Sequence, residues 1–383
     1  MQLVAYGAQD VYLTADPTIT FWKAVYRRHT NFAMESMSQT LSGTPNFNNR
    51  VVCKISRNGD LLHRCYVNAT LPDITGGNSN DWVNRVGFCL LKSVELRVGG
   101  QQIDKHYASW MHIWTELTHT TDQKALLDKL VGPKGDDGAA ASSADVLSLN
   151  IPLMFSFCRN PGLALPLIAL QYHEVELWIE FETLANCQEG SGTAASTSLS
   201  NVQIWADYIF LDTEERKEFA QKPHEYLIEV TQQQQASLTG TSNNSVRLTF
   251  NHPTKFITWA VQQGTVAGDN FTDYTNGTGS ANTTVAKIKL NGQDRFNERD
   301  STYFNYVQPY QHFECKPDLG INVYSFALKP AEHQPSGSCN LSRIDNVNLE
   351  VTPVTGASAL TVYAFSYNVF RVASGMGGLA YSN

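Results

Sequence analysis

The sequence has few charged residues and no long apolar run, and each shortage excludes a class of protein. Of 383 residues, 17% are charged, with 28 basic against 36 acidic side chains and a net charge of −8. Nucleic-acid binding needs a surplus of Lys and Arg to neutralise phosphates, so we expect no direct nucleic-acid partner. The longest apolar stretch, residues 163–170, contains Pro166 and is far too short to span a bilayer.

Secretion and disulfide signals are also absent. Residues 1–10 contain no basic segment followed by an apolar run, so we expect no secretory signal and a chain that folds in solution. The seven cysteines are scattered, odd in number and never spaced C-x-x-C. This pattern favours reduced thiols in a cytosolic setting over a disulfide framework.

Motifs for catalysis and metal binding are missing as well. The ten histidines include no H-x-H pair, and His106, His112 and His119 are spaced by six and seven residues, unlike the i, i+4 pair of a zincin. The sequence contains no G-x-S-x-G, and Gly99-Gly100 has the character of a hairpin turn, not of a phosphate-binding loop. We therefore predict no metal, no cofactor and no enzymatic activity, although catalytic triads assemble in space and not in sequence.

What the sequence does contain is a series of strands that occurs twice in the same order. The first copy has a strand at 94–98, the Gly99-Gly100 turn, then strands at 151–157, 175–179 and 202–211. The second copy has a strand at 286–290, the Asn291-Gly292 turn, then strands at 321–326, 347–351 and 360–372. Both residues of each turn tolerate the positive φ that a tight hairpin needs. Four matches in order predict a tandem duplication of one all-β domain.

The duplication divides the chain into an N-terminal arm (1–33), a first β-domain (34–212), a linker helix (213–224) and a second β-domain (225–383). Each β-domain has the usual size of an independent core. The linker begins with Thr213 as an N-cap, followed by two acids, and Pro223 ends it.

The arm is rich in aromatic side chains. Its residues 21–29 fit a short amphipathic helix, with Phe21 and Trp22 either packing on the first domain or reaching outwards. In the second case, the contact is with a neighbouring subunit or a membrane surface, and Arg27 and Arg28 face anionic groups.

Three segments between the strands have distinct characters. Residues 106–119 form a plausible helix, and residues 120–145 read as an exposed insertion without a core-forming pattern. Residues 264–284 have no Lys or Arg and fit a solvated tip. That tip holds three of the six N-x-S/T sequons, at Asn270, Asn276 and Asn282. Without a secretory signal, we expect no ordinary N-glycosylation there.

Duplicated all-β domains of this size suggest two tandem eight-stranded antiparallel jelly rolls, with short helices in the loops and linker. Specific runs also resemble the double jelly-roll major capsid proteins of nucleocytoplasmic large DNA viruses, most closely those of algal phycodnaviruses. The similar runs are QLVAYGAQDVYL (2–13), YRRHTNFA (26–33), LNGQDRF (290–296), VQPYQH (307–312), GINVYSFAL (320–328), EHQPSG (332–337) and CNLSRIDN (339–346).

The resemblance implies a structural protein of the virion, assembled in the host cytoplasm. Three chains would form a homotrimer whose six jelly rolls give a pseudo-hexagonal capsomer, and neighbouring capsomers would tile an icosahedral shell over an internal membrane. The arm, with Phe21, Trp22, Arg27 and Arg28, would lie at the inner base, towards minor capsid proteins and the membrane. Virus-encoded enzymes attach covalent glycans in some relatives, which would make Asn282, Asn276 and Asn270 candidate acceptors.

Two other interpretations stay open at this point. The chain lacks a few residues before Gln2 and has a somewhat short second domain compared with similar proteins, which fits a capsid paralogue with a minor role. The same fold could also serve a carbohydrate-binding attachment protein or a bicupin-like metalloenzyme, since fold does not fix function.

Overall fold

A computed structural model describes residues 5, 7–19, 21–22, 24, 26–74, 81–134, 147–189, 198–263, 271–276, 279–313, 315–354 and 358–381. The strands of the first half are β1 (Phe32–Gln39), β2 (Leu41–Ser42), β3 (Arg50–Lys54), β4 (Leu61–Thr70), β5 (Asp81–Trp82), β6 (Leu91–Val98), β7 (Gln101–Tyr107), β8 (Ser148–Pro152), β9 (Leu165–Pro166), β10 (Val175–Phe181), β11 (Gln188–Glu189) and β12 (Ser200–Leu211). Its helices are α1 (Val11–Thr14), α2 (Val86–Leu90), α3 (Ala108–Thr118), α4 (Thr121–Val131), α5 (Ser156–Arg159) and α6 (Leu184–Cys187), with a 3-10 turn at Pro161–Leu163.

The second half follows the linker helix α7 (Thr213–Gln221). Its strands are β13 (His224–Leu238), β14 (Asn244–Leu248), β15 (Pro253–Gln263), β16 (Thr283–Leu290), β17 (Gln293–Asp294), β18 (Arg299–Asp300), β19 (Ile321–Ser325), β20 (Cys339–Asn340), β21 (Val347–Pro353), β22 (Ser358–Ala373) and β23 (Met376–Leu379). A π-helical turn (Tyr303–Val307) leads into α8 (Gln308–His312), and a 3-10 turn covers Leu341–Arg343. No described helix has the length and apolar character needed to cross a membrane.

Each half folds into two antiparallel sheets with the same strand order. The first sandwich has β1-β12-β4-β8 in one sheet and β3-β10-β6-β7, with the short β2 at its edge, in the other. The second has β13-β22-β15-β19 and β14-β21-β16-β17. The equivalent strands of the two copies therefore occupy equivalent places, which confirms the predicted duplication. Further short strands pair beside these, so each half has more strands than the predicted eight.

All four sequence matches join equivalent strands. β8 matches β19, β10 matches β21 and β12 matches β22, while the β6–β7 hairpin matches β16–β17. The turns have the expected backbone, with φ of 58° and 83° at Gly99 and Gly100, and 51° and 81° at Asn291 and Gly292. The equivalent strands β10 and β21 also share one pattern, in which buried residues alternate with partly exposed ones. Period-two burial of this kind places one face of each sheet in the core.

Four local predictions are wrong. The N-cap of the linker helix is Asp212, whose side chain accepts from the Thr213 N–H, and Thr213 is the first helical residue. The described residues of segment 21–29 form no helix, and the helix seen among the described residues of the arm is α1. The predicted strand 151–157 ends at Pro152, and after a short extended link the chain turns into α5. Within the predicted exposed insertion 120–145, the structure has α4, which begins at a capping box between Thr120 and Gln123 and buries Leu127 and Val131.

Candidate functional site: the junction of the two sandwiches

Helix α3 of the first sandwich is the centre of the contact between the two halves. Eight consecutive residues, 110–117, are buried, so the core of the first sandwich and the facing surface of the second sandwich together cover the helix on all sides. Trp110 and Trp114 pack against Phe256 and Phe365 of the second sandwich, with ring centroids 4.8–6.4 Å apart. Buried apolar side chains of both halves thereby form one continuous core. Such a core fixes the angle between the sandwiches, because close-packed interiors do not deform smoothly.

A buried charge cluster lies on the other side of α3 and begins with Arg85. This side chain is 1% exposed, and it donates to Asp128 Oδ1 at 2.8 Å, to His112 Nδ1 at 3.1 Å and to Glu116 Oε1 at 2.7 Å. A buried guanidinium is stable only when its donors are satisfied in this way. Arg85 thus ties α3 and α4 together.

The second sandwich completes this cluster with Asp318. Lys134 donates to Asp318 Oδ1 at 2.5 Å, and His112 Nε2 lies 3.3 Å from Asp318 Oδ2. Lys124 donates to Glu116 Oε2 at 2.6 Å and to the backbone carbonyl of Lys316 at 3.1 Å. Polar contacts therefore cross the junction. If the second sandwich moved away from the first, these buried charges would be left unpaired.

The contacts of His112 determine its protonation. A guanidinium only donates, so Nδ1 must accept from Arg85, and the proton of a neutral ring then lies on Nε2, facing Asp318. Burial lowers the pKa of His112, and the charge of Arg85 lowers it further, against the opposing effect of Asp318. Contacts with His112 and Lys134 hold the pKa of Asp318 below its ordinary value although burial opposes this. With a neutral histidine, three cations and three carboxylates of the cluster balance.

Three residues of this cluster also have the types and spacing of a metal site. Donor atoms of His112, Glu116 and Asp318 lie within 4.8 Å of one another. However, those donors already face Arg85, Lys124 and Lys134, and a divalent cation would have to displace or be repelled by these charges. The arrangement therefore suits an internal ion-pair network better than a metal centre.

A second charge cluster crosses the junction near α5. Glu229 of the second sandwich pairs with Lys255 at 2.5 Å and with Arg159 of the first sandwich at 3.0 Å. Arg159 also lies over the Trp114 ring, 4.6 Å from its centroid. Burial lowers the pKa of Lys255, although the carboxylate of Glu229 opposes this shift. Nearby, the Thr231 backbone N–H donates to Asp104 at 3.0 Å.

The predicted arm residues do not contribute to this junction. Phe21 and Trp22 are each 90% exposed and contact one another edge to face, with centroids 5.0 Å apart. Arg27 and Arg28 are exposed too. The rings of Phe21 and Trp22 therefore do not pack on the described part of the first sandwich, and they are available to another molecule.

The predicted glycan acceptors have different surroundings. Asn282 is fully buried, and its amide donates to Val261 O at 3.5 Å and Ser358 Oγ at 3.4 Å. This placement contradicts its prediction as an acceptor, because a transferase needs an accessible amide nitrogen. Asn276 is partly exposed, and its carbonyl oxygen accepts from Ser280 N–H at 3.2 Å. Asn270 lies outside the described residues.

Sequence reasoning did not find the charge clusters. One signal was present: His112 and Glu116 are i, i+4 neighbours on a helix rich in large apolar side chains, and polar residues in such places need buried partners. The partners themselves, Arg85 and Asp318, are separated from α3 by long stretches of chain.

Two antiparallel sandwiches of identical strand order, locked through one core, define a double jelly-roll structural subunit. Two family models match: the N-terminal domain of major capsid proteins over residues 20–212 and the large eukaryotic DNA virus major capsid protein over 215–378. The chain belongs to this family of major capsid proteins of large eukaryotic DNA viruses, which confirms the resemblance seen in the sequence.

The similarity between this chain and its relatives extends over almost the whole length of each. The chain is 49% identical to the major capsid protein of Pyramimonas orientalis virus and 42% identical to that of Paramecium bursaria Chlorella virus 1, covering 100% of this chain and 99% of each relative. It is similar to the quasi-atomic model of the PBCV-1 virus capsid, with a TM-score of 0.81 and 39% identity over 95% of this chain and 100% of that one. The Faustovirus major capsid protein, at 13% identity and a TM-score of 0.77 over 96% of this chain and 94% of that one, shares the fold.

Proposed function

We propose that this chain is the shell-forming subunit of a large DNA virus, acting as a homotrimer whose six sandwiches give a pseudo-hexagonal capsomer. The junction carries this proposal. Two sandwiches of one topology give near-sixfold packing around a threefold axis only if their mutual angle is fixed. The shared core around Trp110 and the buried clusters at Arg85 and Glu229 supply that rigidity.

The N-terminal arm serves a different contact in this proposal. Several of its apolar side chains are 86–91% exposed, namely those of Tyr12, Leu13, Phe21, Trp22 and Tyr26. Exposed aromatic clusters of this size mark surfaces that another molecule covers. We assign the arm to the inner base of the capsomer, facing minor capsid proteins and the anionic surface of an internal membrane, with Arg27 and Arg28 towards that charge.

The role is structural and not catalytic, and assembly takes place in the host cytoplasm. Support for this comes from the relatives, which are capsid proteins over their full length. Covalent glycans are a further expectation for the loop that contains Asn276. Asn270 belongs to the same proposal on the sequence alone, whereas Asn282 does not.

Native mass spectrometry of the purified protein tests the oligomer directly. We expect a species of three 42.5-kDa chains, about 128 kDa, that persists on dilution. Added mass in sugar-sized steps would indicate glycans, and peptide mapping would place them. A stable monomer at all concentrations would overturn the capsomer and bring the attachment-protein alternative forward.

A further inference from the structure

Helix α4 carries an exposed stripe that nothing in its own chain covers among the described residues. Asp122, Leu126 and Leu130 are spaced i, i+4, i+8 and therefore lie on one face. Leu126 is 63% exposed and Leu130 is 40% exposed. The neighbouring faces are occupied, because Leu127 packs in the core and Asp128 pairs with Arg85 at the junction.

The helical wheel shows where this stripe points. Lys124 and Asp128 both contact the junction cluster, so the junction lies on their side of α4. At 100° per residue, Leu126 is about 160° around the helix from both Lys124 and Asp128. The stripe therefore faces away from the second sandwich of its own chain, and that sandwich cannot cover it.

A groove of complementary character lies in the second sandwich. It has a volume of about 770 Å³ and runs between the helical segment 303–312 and residues 315–317. Tyr306, Val307 and Tyr310 line it and are 42%, 40% and 85% exposed. Lys316 stands at its edge, exposed and without an ion pair in the described part of the chain.

We propose that α4 of one copy lies in this groove of the next copy, with Leu126 and Leu130 against the tyrosines and Asp122 facing Lys316. The match is that of an amphipathic helix in an apolar groove, where residues at i and i+4 act as anchors. It also brings opposite charges together, because Asp122 and Lys316 are both exposed and neither is in an ion pair among the described residues of its own chain.

The geometry of this contact is head-to-tail. Stripe and groove belong to different sandwiches, so the contact uses two different surfaces and repeats from copy to copy until a ring closes. Both surfaces also lie in the equivalent connection of each half, which runs from the hairpin β6–β7 to β8 in the first and from β16–β17 to β19 in the second. The proposal rests on the capsomer proposed above, and it names the residues that join its subunits.

A charge swap is the sharpest test. Asp122→Lys and Lys316→Asp each place like charges together, and we expect each to raise the protein concentration needed for half-assembly by about tenfold. The double variant Asp122→Lys/Lys316→Asp restores opposite charges and should return assembly to the wild-type concentration. Light scattering after size exclusion measures this, and far-UV circular dichroism checks that each variant is folded.

Removal of the apolar anchors should have a larger effect. Leu126→Asp/Leu130→Asp should weaken assembly by on the order of a hundredfold, because two apolar side chains lose their burial. The control is Tyr172→Ser, which removes an exposed apolar side chain (76%) just before β10, beside Gly375 and close to the β6–β7 turn. It should leave assembly unchanged.

Cross-linking gives an independent readout, since the native Cys315 lines the groove. Leu126→Cys should join chains into covalent ladders with a short bismaleimide, and Cys315→Ala in the same chain should abolish the ladder. Suppose that the wild type is trimeric, that the charge reversals and Leu126→Asp/Leu130→Asp do not weaken the trimer, and that Leu126→Cys gives no cross-link between chains. Then this contact is wrong and the capsomer stands. If the wild type is monomeric at all concentrations, both proposals fail.

Discussion

The two sandwiches share their strand order but differ in one connection. In the first, α3 and α4 follow the β6–β7 hairpin, and α3 extends the core across the junction to Phe256 and Phe365. In the second, the corresponding connection is a π-helical turn with the five-residue α8, and the main core of that sandwich closes within itself. A duplicated framework thus gained its asymmetry in a loop, where insertions cost little. The first sandwich supplies helix α3, and the second sandwich supplies the surface against which this helix packs.

Two tryptophans allow the shared core and the core of the second sandwich to be tested separately. Trp110 lies in the core shared by both halves, whereas Trp259 packs with Phe304 in the core of the second sandwich alone. Each change to alanine should cost about 3–5 kcal/mol of unfolding free energy. Trp110→Ala should split guanidinium unfolding into two transitions, because it uncouples the halves. Trp259→Ala should destabilise the second sandwich and leave the junction formed; identical unfolding curves would contradict the comparison.

The buried charge cluster around Arg85 should contribute almost as much to the free energy of unfolding as the aromatic packing around Trp110. Arg85→Met leaves Glu116 and Asp128 without their buried cation, and we expect a loss of about 3 kcal/mol, measured by denaturant unfolding. The matched change at the surface is Lys92→Met, which breaks a half-exposed pair with Glu180 and should cost less than about 1 kcal/mol. Equal losses in the two variants would show that the cluster does not lock the junction.

Acid should weaken the junction through His112. Burial and Arg85 lower its pKa from the ordinary 6.5, so the unfolded chain binds the proton first and stability falls as the pH drops below about 6.5. The loss should approach 1.4 kcal/mol per pH unit until the lowered pKa is reached. His112→Asn should flatten this slope between pH 7 and 5.5 in thermal unfolding, while His29→Asn, in the exposed arm, should leave it intact.

The hairpin turns should show the smallest difference, because here the two copies are alike. Gly100 and Gly292 have φ of 83° and 81°, and an added Cβ would meet open space at both positions. Change to alanine should cost each about 1 kcal/mol, through backbone strain alone. Thermal unfolding that places the two variants more than about 1 kcal/mol apart would show that the hairpins are not equivalent.

Sequence reasoning found the features that depend on neighbours in the chain. The alternation in β10 and β21 and the positive-φ residues at the two turns predicted strands and hairpins correctly, because these signals are local. It failed where tertiary packing outweighed local preference. Residues 21–29 have a helical pattern, but their described side chains are exposed and pack on no described part of either sandwich. Asn282 has a sequon but lies against Val261 and Ser358. A short isolated helix is unstable in water without such packing.

The sequence by itself determined the duplication, the all-β class and the family, since each of these depends on repeated short patterns and runs. Only the tertiary structure decided how the two copies are joined. The ion pairs of Glu116 and Asp318 with Arg85, Lys124 and Lys134 join segments from both halves of the chain, and no local pattern specifies such partners. Burial makes these contacts decisive, because a charge removed from water must find its counterpart wherever the fold brings one.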